Sequence, residues 1–287
     1  PTAILAARTL GIPVMIYGVG FYMPPRRSPT PSMRSWEAVP PAALAARDGA
    51  ALATINGVLA RFDQAALEKL ADLFAVAEDA LLGFPELDHY LGRDPARYWG
   101  MVHSPPCTRT LPWPEAPGGK RIFAYLRAEH PRCRDLIDAL GACGHSVILC
   151  LPGVQESSHP PNIRLSSQPL DLQAMTAEAD AALVYGGIST ATAFLCAGKP
   201  VLCVPMFLEQ YLLGARIQRL GAGLVIRAEE QSADFAAALG RLVGDPELAT
   251  GAARFAAKYA GFTQETVVAN LAARVEELIQ MDSGRTE

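Results

Sequence analysis

Residues 181–223 read AALVYGGISTATAFLCAGKPVLCVPMFLEQYLLGARIQRLGAG. An apolar run, Ala181–Tyr185, ends in Gly186-Gly187, and a segment of helical spacing follows and stops at Gly198-Lys199-Pro200. A second apolar run, Val201–Val204, reaches Pro205 and the polar pair Glu209-Gln210, before another helical segment. The pattern is strand, glycine turn, helix, strand, loop, helix. In a parallel sheet both strands end on the same edge, where α/β folds bind ligands.

Regular alternation continues on both sides. Upstream, Arg121–Leu126 and Ser146–Leu151 read as strands around a helix at Arg132–Leu140. Asn162–Leu165 reads as a third strand, followed by a short helix at Asp171–Glu178. Downstream, Gly223–Ile226 reads as a last strand. Three helices then close the chain, at Ser232–Val243, Pro246–Tyr259 and Thr263–Ile279, the last with Leu271, Val275 and Leu278 in phase. Strands alternating with helices predict a doubly wound parallel sheet.

The front of the chain is less regular. Residues 2–10 predict a short helix closed by Gly11, and Pro13–Tyr17 a buried strand. The proline-rich stretch 24–41 predicts a loop, and Ala42–Arg61 and Gln64–Ala77 predict helices. Asp79–Phe84 and Tyr98–His103 read as strands. Residues 104–119 are rich in proline and glycine, the composition of a stiff connector. The expected domains are therefore 1–103, a linker at 104–119, and 120–287.

Composition narrows the function. The chain has 287 residues, half of them hydrophobic, enough to bury the cores of about two domains. A net charge of −4 gives no electrostatic attraction to nucleic acid or to an anionic membrane. No apolar run approaches the ~20 residues of a membrane helix. The six cysteines show neither CxxC nor ligand spacing. They predict buried thiols, a cytoplasmic location and no metal site. The chain begins at Pro1 in an apolar stretch, and the front of the protein is expected to be missing.

Two constellations carry chemistry. Gly186-Gly187 permits a sharp turn and close approach of a ligand. A helix opening near Ser189 aims N–H groups and a positive dipole end at that space, which suits a diphosphate. Ser189 and Thr190 add hydroxyls. The same residues serve equally as a plain turn with Ser189 as N-cap. One βα unit later, Glu209-Gln210 offers acceptors and a donor together, as recognition of adjacent sugar hydroxyls requires. Taken alone, Glu209 is an ordinary first-turn acid. At matching strand ends, the two features describe a nucleotide-sugar site.

The segment 185–223, YGGISTATAFLCAGKPVLCVPMFLEQYLLGARIQRLGAG, resembles the donor motif of GT-B glycosyltransferases related to UDP-glycosyltransferases and macrolide glycosyltransferases. That motif reads roughly His-Gly-Gly-x-Gly-Thr, Ala-Gly-x-Pro, Pro and Asp/Glu-Gln. IFAYL at 122–126 resembles the first strand of the family's C-terminal domain, and AARTLGIPVMIYGVGFYMPP at 6–25 the late part of its N-terminal domain.

The resemblance implies two Rossmann-like domains facing a cleft, the N-terminal one incomplete. It implies transfer of a hexose from a UDP or dTDP sugar to a hydroxyl of a small, fairly apolar acceptor, without metal or other cofactor. Gly186, Gly187, Ser189 and Thr190 would hold the diphosphate, and Glu209 and Gln210 the sugar. Gln168 and Leu170 would face the base, Leu170 through its backbone. Arg127, by position rather than motif, would reach the phosphates, or equally be a solvated arginine.

Two departures stand out. Tyr185 replaces the motif's histidine; its hydroxyl either donates to phosphate, over a longer reach and without charge near neutral pH, or the side chain is simply packed. The family draws its catalytic base, a histidine, from the early N-terminal domain, which has no counterpart here. None of His89, His103, His130, His145 and His159 matches it, so no base is assigned. The alternatives are a non-catalytic or degenerate partner of an active glycosyltransferase, and a nucleotide-sugar 2-epimerase. A protein partner is expected if the N-terminal part is truly absent. An NAD enzyme is disfavoured, since no GxGxxG follows the first strand.

Overall fold

The computed structural model describes residues 2–94, 96–103, 107–154, 159–230 and 233–283. The chain divides into two compact units, Pro1–Val102 with Thr263–Glu287, and His103–Phe262.

The first unit carries α1 (Thr2–Thr9), β1 (Met15–Gly18), α2 (Pro41–Ala60) and β2 (Glu78–Leu81). The strands β1 and β2 pair in parallel from Met15↔Glu78 to Gly18↔Leu81. Pro41 opens α2, where a missing N–H costs nothing. Behind it Leu59, Leu67 and Leu73 form a small buried cluster.

The helix expected over 64–77 does not form, and only a short 3-10 turn at Leu70–Phe74 is present. The reason is a competing contact. The Asn56 amide, on α2, accepts from Leu67 N–H (2.8 Å) and donates to Leu67 C=O (3.0 Å). That removes both groups from any helical ladder. Residues 98–103, read as a strand, make isolated bridges at Leu81↔Tyr98 and Gly83↔Gly100.

The second unit is a six-stranded parallel sheet of β3 (Arg121–Tyr125), β4 (Ser146–Cys150), β5 (Ile163–Ser166), β6 (Ala181–Val184), β7 (Val201–Cys203) and β8 (Gly223–Val225). Its order is β5-β4-β3-β6-β7-β8. Every residue of β4, β6 and β7 is buried, which is why these strands read as unbroken apolar runs. Helices α3 (Cys133–Ala142), α4 (Leu172–Glu178), α5 (Ile188–Cys196), α6 (Leu208–Arg219), α7 (Phe235–Gly244) and α8 (Pro246–Lys258) alternate with or follow the strands. Asp171, Asp234 and Asp245 cap α4, α7 and α8 by accepting first-turn N–H groups. The start expected for α7 at Ser232, and residues 104–106 of the expected linker, lie outside the described residues.

The closing helix (Gln264–Ser283) was counted with the second domain from sequence, yet it groups with the first unit. Arg274 on it donates to Glu78 Oε2 at 2.7 Å. Its anticipated apolar face is only partly used, since Val275 is 43% exposed. Among the described residues, no helix is long and apolar enough to cross a membrane.

Candidate functional site

The strand order reverses between β3 and β6. Successive strands run outward from β3 to β5 on one side and from β6 to β8 on the other. A doubly wound sheet opens a crevice at this point, outside the C-terminal strand ends. The Tyr185 N–H donates to Tyr125 C=O at 3.1 Å, the last ladder bond before the two chains part.

Gly186 follows, with φ of 96°. A β-carbon there would lie 2.8 Å from Gln210 Cβ, so this glycine is pressed against the first turn of α6. Gly187 differs. Its φ of −64° is open to any residue, and it is the N-cap of α5. The helix begins at Ile188, so Ser189 is not the cap that one reading of the sequence allowed. Ser189 Oγ is buried and has no hydrogen-bond partner among the described residues, and Thr190 is also buried. The carbonyl of Ser189 meets His103 Nδ1 at 3.1 Å, a contact without a signal in the sequence. A carbonyl can only accept, so His103 carries its proton on Nδ1 there.

Tyr185 packs edge-on against Tyr125, with ring centroids 5.3 Å apart. The exposed Arg127, two residues beyond the end of β3, lays its guanidinium over both rings, 5.3 Å from the Tyr185 centroid and 5.9 Å from that of Tyr125. Its hydrogen bond with Tyr185 raises the Arg127 pKa further. Burial, and then the neighbouring Tyr185, raise that of Tyr125.

At the next strand end, Glu209 occupies the first turn of α6, half-buried. Burial lifts its pKa above the usual value, and it has no hydrogen bond or ion pair among the described residues. Gln210 is buried, and its Oε1 accepts the Met206 N–H at 2.8 Å, which shapes the β7–α6 loop. Its amide nitrogen is the donor left for a ligand.

Beyond β5, the Gln168 carbonyl accepts from Ser166 Oγ at 2.7 Å, and its side chain is exposed. Leu170 is buried. The expected residues thus form three clusters along one sheet edge: Gln168 and Leu170 after β5; Arg127, Tyr185, Gly186, Gly187 and Ser189 at β3 and β6; Glu209 and Gln210 after β7. Among the described residues, no group of three or more His, Cys, Asp and Glu side chains is placed to hold a metal ion.

Residues 134–278 match the family described as erythromycin biosynthesis protein CIII-like, C-terminal domain. A PGL/p-HBAD biosynthesis glycosyltransferase of Mycobacterium tuberculosis is 27% identical over 177 residues, which is 59% of this chain and 38% of that protein. Among solved structures, the spinosyn forosaminyltransferase SpnP aligns with a TM-score of 0.64 at 18% identity, covering 95% of this chain and 72% of its own. The glycosyltransferase VinC, solved in complex with dTDP, aligns at 0.62 and 20% identity, covering 96% and 68%. The fold is that of GT-B glycosyltransferases.

Proposed function

The chain belongs to the erythromycin biosynthesis protein CIII-like C-terminal domain family, and from that premise we propose that its second unit binds a nucleoside diphosphate sugar for glycosyl transfer. One observation carries this reading. From β5 to β7, the sheet edge presents a loop suited to a base, a glycine turn with a helix N-terminus, then an unpartnered carboxylate beside an amide. That is the covalent order of base, diphosphate and hexose. The span is four strand steps of ~4.8 Å, about 19 Å.

The chemistry follows from the parts. Two backbone features, the turn at Gly186-Gly187 and the first N–H groups of α5, face the diphosphate and favour negative charge. As the bond from the anomeric carbon to the diphosphate breaks, charge grows on the leaving oxygen, where fixed dipoles lower the barrier without metal. The acceptor hydroxyl oxygen forms the new bond to that carbon, its O–H bond breaks, and the proton passes to solvent or to the released diphosphate. Glu209 accepts from sugar hydroxyls, and the Gln210 amide donates. Ser189 Oγ, buried without a partner, is a polar group that a bound phosphate oxygen would satisfy. The six free thiols support a cytosolic setting. A hexose from UDP or dTDP, and a small apolar acceptor, complete the reading.

Calorimetric titration with UDP, dTDP and their glucose conjugates tests it. Binding of at least one diphosphate, abolished by Gly186→Val, is expected. A flat titration with all four would overturn the reading. A second reading, a GT-B chain that binds an active glycosyltransferase without catalysing, is favoured by Tyr185 being packed against Tyr125. Donor binding without hydrolysis or transfer, in any acceptor mixture, would select it.

A further inference from the structure

A diphosphate carries more charge than a neutral turn and one helix end offset, so a cation within reach is expected. Among the described residues, the exposed arginines near the C-terminal edge of the sheet include Arg109, whose C=O accepts the Asp171 N–H at 2.7 Å after β5, Arg127 and Arg227. Arg127 follows β3, the strand paired with β6, and Arg227 follows β8, two strands beyond β6. Of these, Arg127 meets Tyr185, the residue before the glycine turn, and three contacts fix it there. Its backbone is held in a tight turn, with the His130 N–H donating to Arg127 C=O at 3.0 Å. The buried His130 ring anchors that turn from below, Nδ1 accepting the Arg132 N–H at 3.1 Å. The guanidinium lies on the rings of Tyr185 and Tyr125.

A guanidinium on an aromatic face is held by its quadrupole, and the hydrogen bond to Tyr185 leaves the other N–H donors of the five to meet oxygen. Tyr185 is also the residue before Gly186, and its hydroxyl would lie 3.1 Å from a β-carbon at Gly187. The tyrosine therefore spans from the arginine to the cap of α5.

We propose that Arg127 is the phosphate-binding cation of the donor site and that Tyr185 is its positioning residue. This rests on the nucleotide-sugar reading above. The charge is supplied by a group that stays protonated at every working pH, oriented from beneath by an aromatic plane. Bidentate contact between guanidinium and phosphate oxygens is the geometry the fork favours.

The test compares each of dTDP and UDP with its own nucleoside, thymidine or uridine, by calorimetry on the whole chain. Arg127→Ala should weaken the diphosphate about 10- to 100-fold, the loss expected for a charge-assisted hydrogen bond, and leave the nucleoside unchanged. Arg227→Ala should change neither. Tyr185→Leu, which removes the ring, should cost less than Arg127→Ala, and should cost nothing further in an Arg127→Ala background, because it acts through the arginine. Circular dichroism melting should be unmoved for Arg127→Ala, whose side chain is exposed.

Diphosphate affinity of Arg127→Ala within about twofold of the parent, or an equal fall for nucleoside and diphosphate, would overturn the assignment. An additive Tyr185→Leu loss would remove Tyr185 from its positioning role. If the parent chain binds neither diphosphate, the nucleotide-sugar reading itself falls. Failure at Arg127→Ala alone leaves that reading standing.

Discussion

Gly186 and Gln210 touch so closely that a β-carbon on the glycine would sit 2.8 Å from Gln210 Cβ and 3.3 Å from its Cα. Real side chains do not approach that far without displacement. The contact binds the end of β6 to the first turn of α6, and so sets the glycine turn against the helix that carries Glu209.

The two adjacent glycines should therefore respond differently to alanine. Gly186→Ala meets both a positive φ and a backbone-anchored neighbour, and should cost on the order of 2–4 kcal/mol with loss of nucleotide binding. Gly187→Ala meets only the end of the Tyr185 side chain at 3.1 Å, with an ordinary φ, and should cost less than about 1 kcal/mol. Urea denaturation of the two variants separates them. Equal costs would contradict the packing described.

Glu209→Gln should act on the sugar and spare the nucleotide. The carboxylate has no hydrogen bond or ion pair among the described residues, so its replacement breaks none of those contacts. Affinity for a nucleoside diphosphate hexose should fall by about 1.5–3 kcal/mol, the range for hydrogen bonds to a charged group, with the bare diphosphate unaffected. Competition between the two ligands reads this difference directly.

A third expectation concerns acid stability of the first unit. Asp88 is 6% exposed and accepts from Arg93, Tyr98 and the Tyr90 N–H. Arg93 in turn donates to Met23 C=O at 2.8 Å, which ties the 20–25 loop to this network. Burial pushes the Asp88 pKa up, and the hydrogen bonds outweigh it, so the net shift is downward. A carboxyl whose folded pKa is lowered stabilises the fold above its unfolded pKa, about 3.9, and loses that contribution as pH falls through the folded value. Asp88→Ala leaves a buried guanidinium without its partner and should cost about 3–5 kcal/mol at neutral pH. Asp88→Asn should flatten the acid limb of a plot of Tm against pH. An unchanged acid limb would refute the network's role.

Phe194 is fully buried and stacks on Phe123, with centroids 5.4 Å apart and planes 13° from parallel. It holds α5 on the sheet behind the glycine turn. Phe194→Ala should cost about 3–5 kcal/mol, and Phe194→Leu far less, as seen in thermal melts.

Much of the second unit was readable because its signals are local. Apolar runs of strand length, aspartates before α4, α7 and α8, and glycines after strands each act within a few residues. The order of Gly186-Gly187 and Glu209-Gln210 follows from the same periodicity. The helix expected over 64–77 was misread because Asn56, eleven positions before Leu67, captures that residue's backbone groups. The closing helix groups with the first unit, where Arg274 meets Glu78 across most of the chain.

The sequence by itself thus determined the alternating α/β pattern and the residue types offered at each strand end. Tertiary structure decided which of them meet. Pairing of β3 with β6 brings Arg127 onto Tyr185, and packing of α6 presses Gln210 onto Gly186. Such contacts join residues far apart in the chain, and their energy is set by burial and distance rather than by any neighbour in sequence.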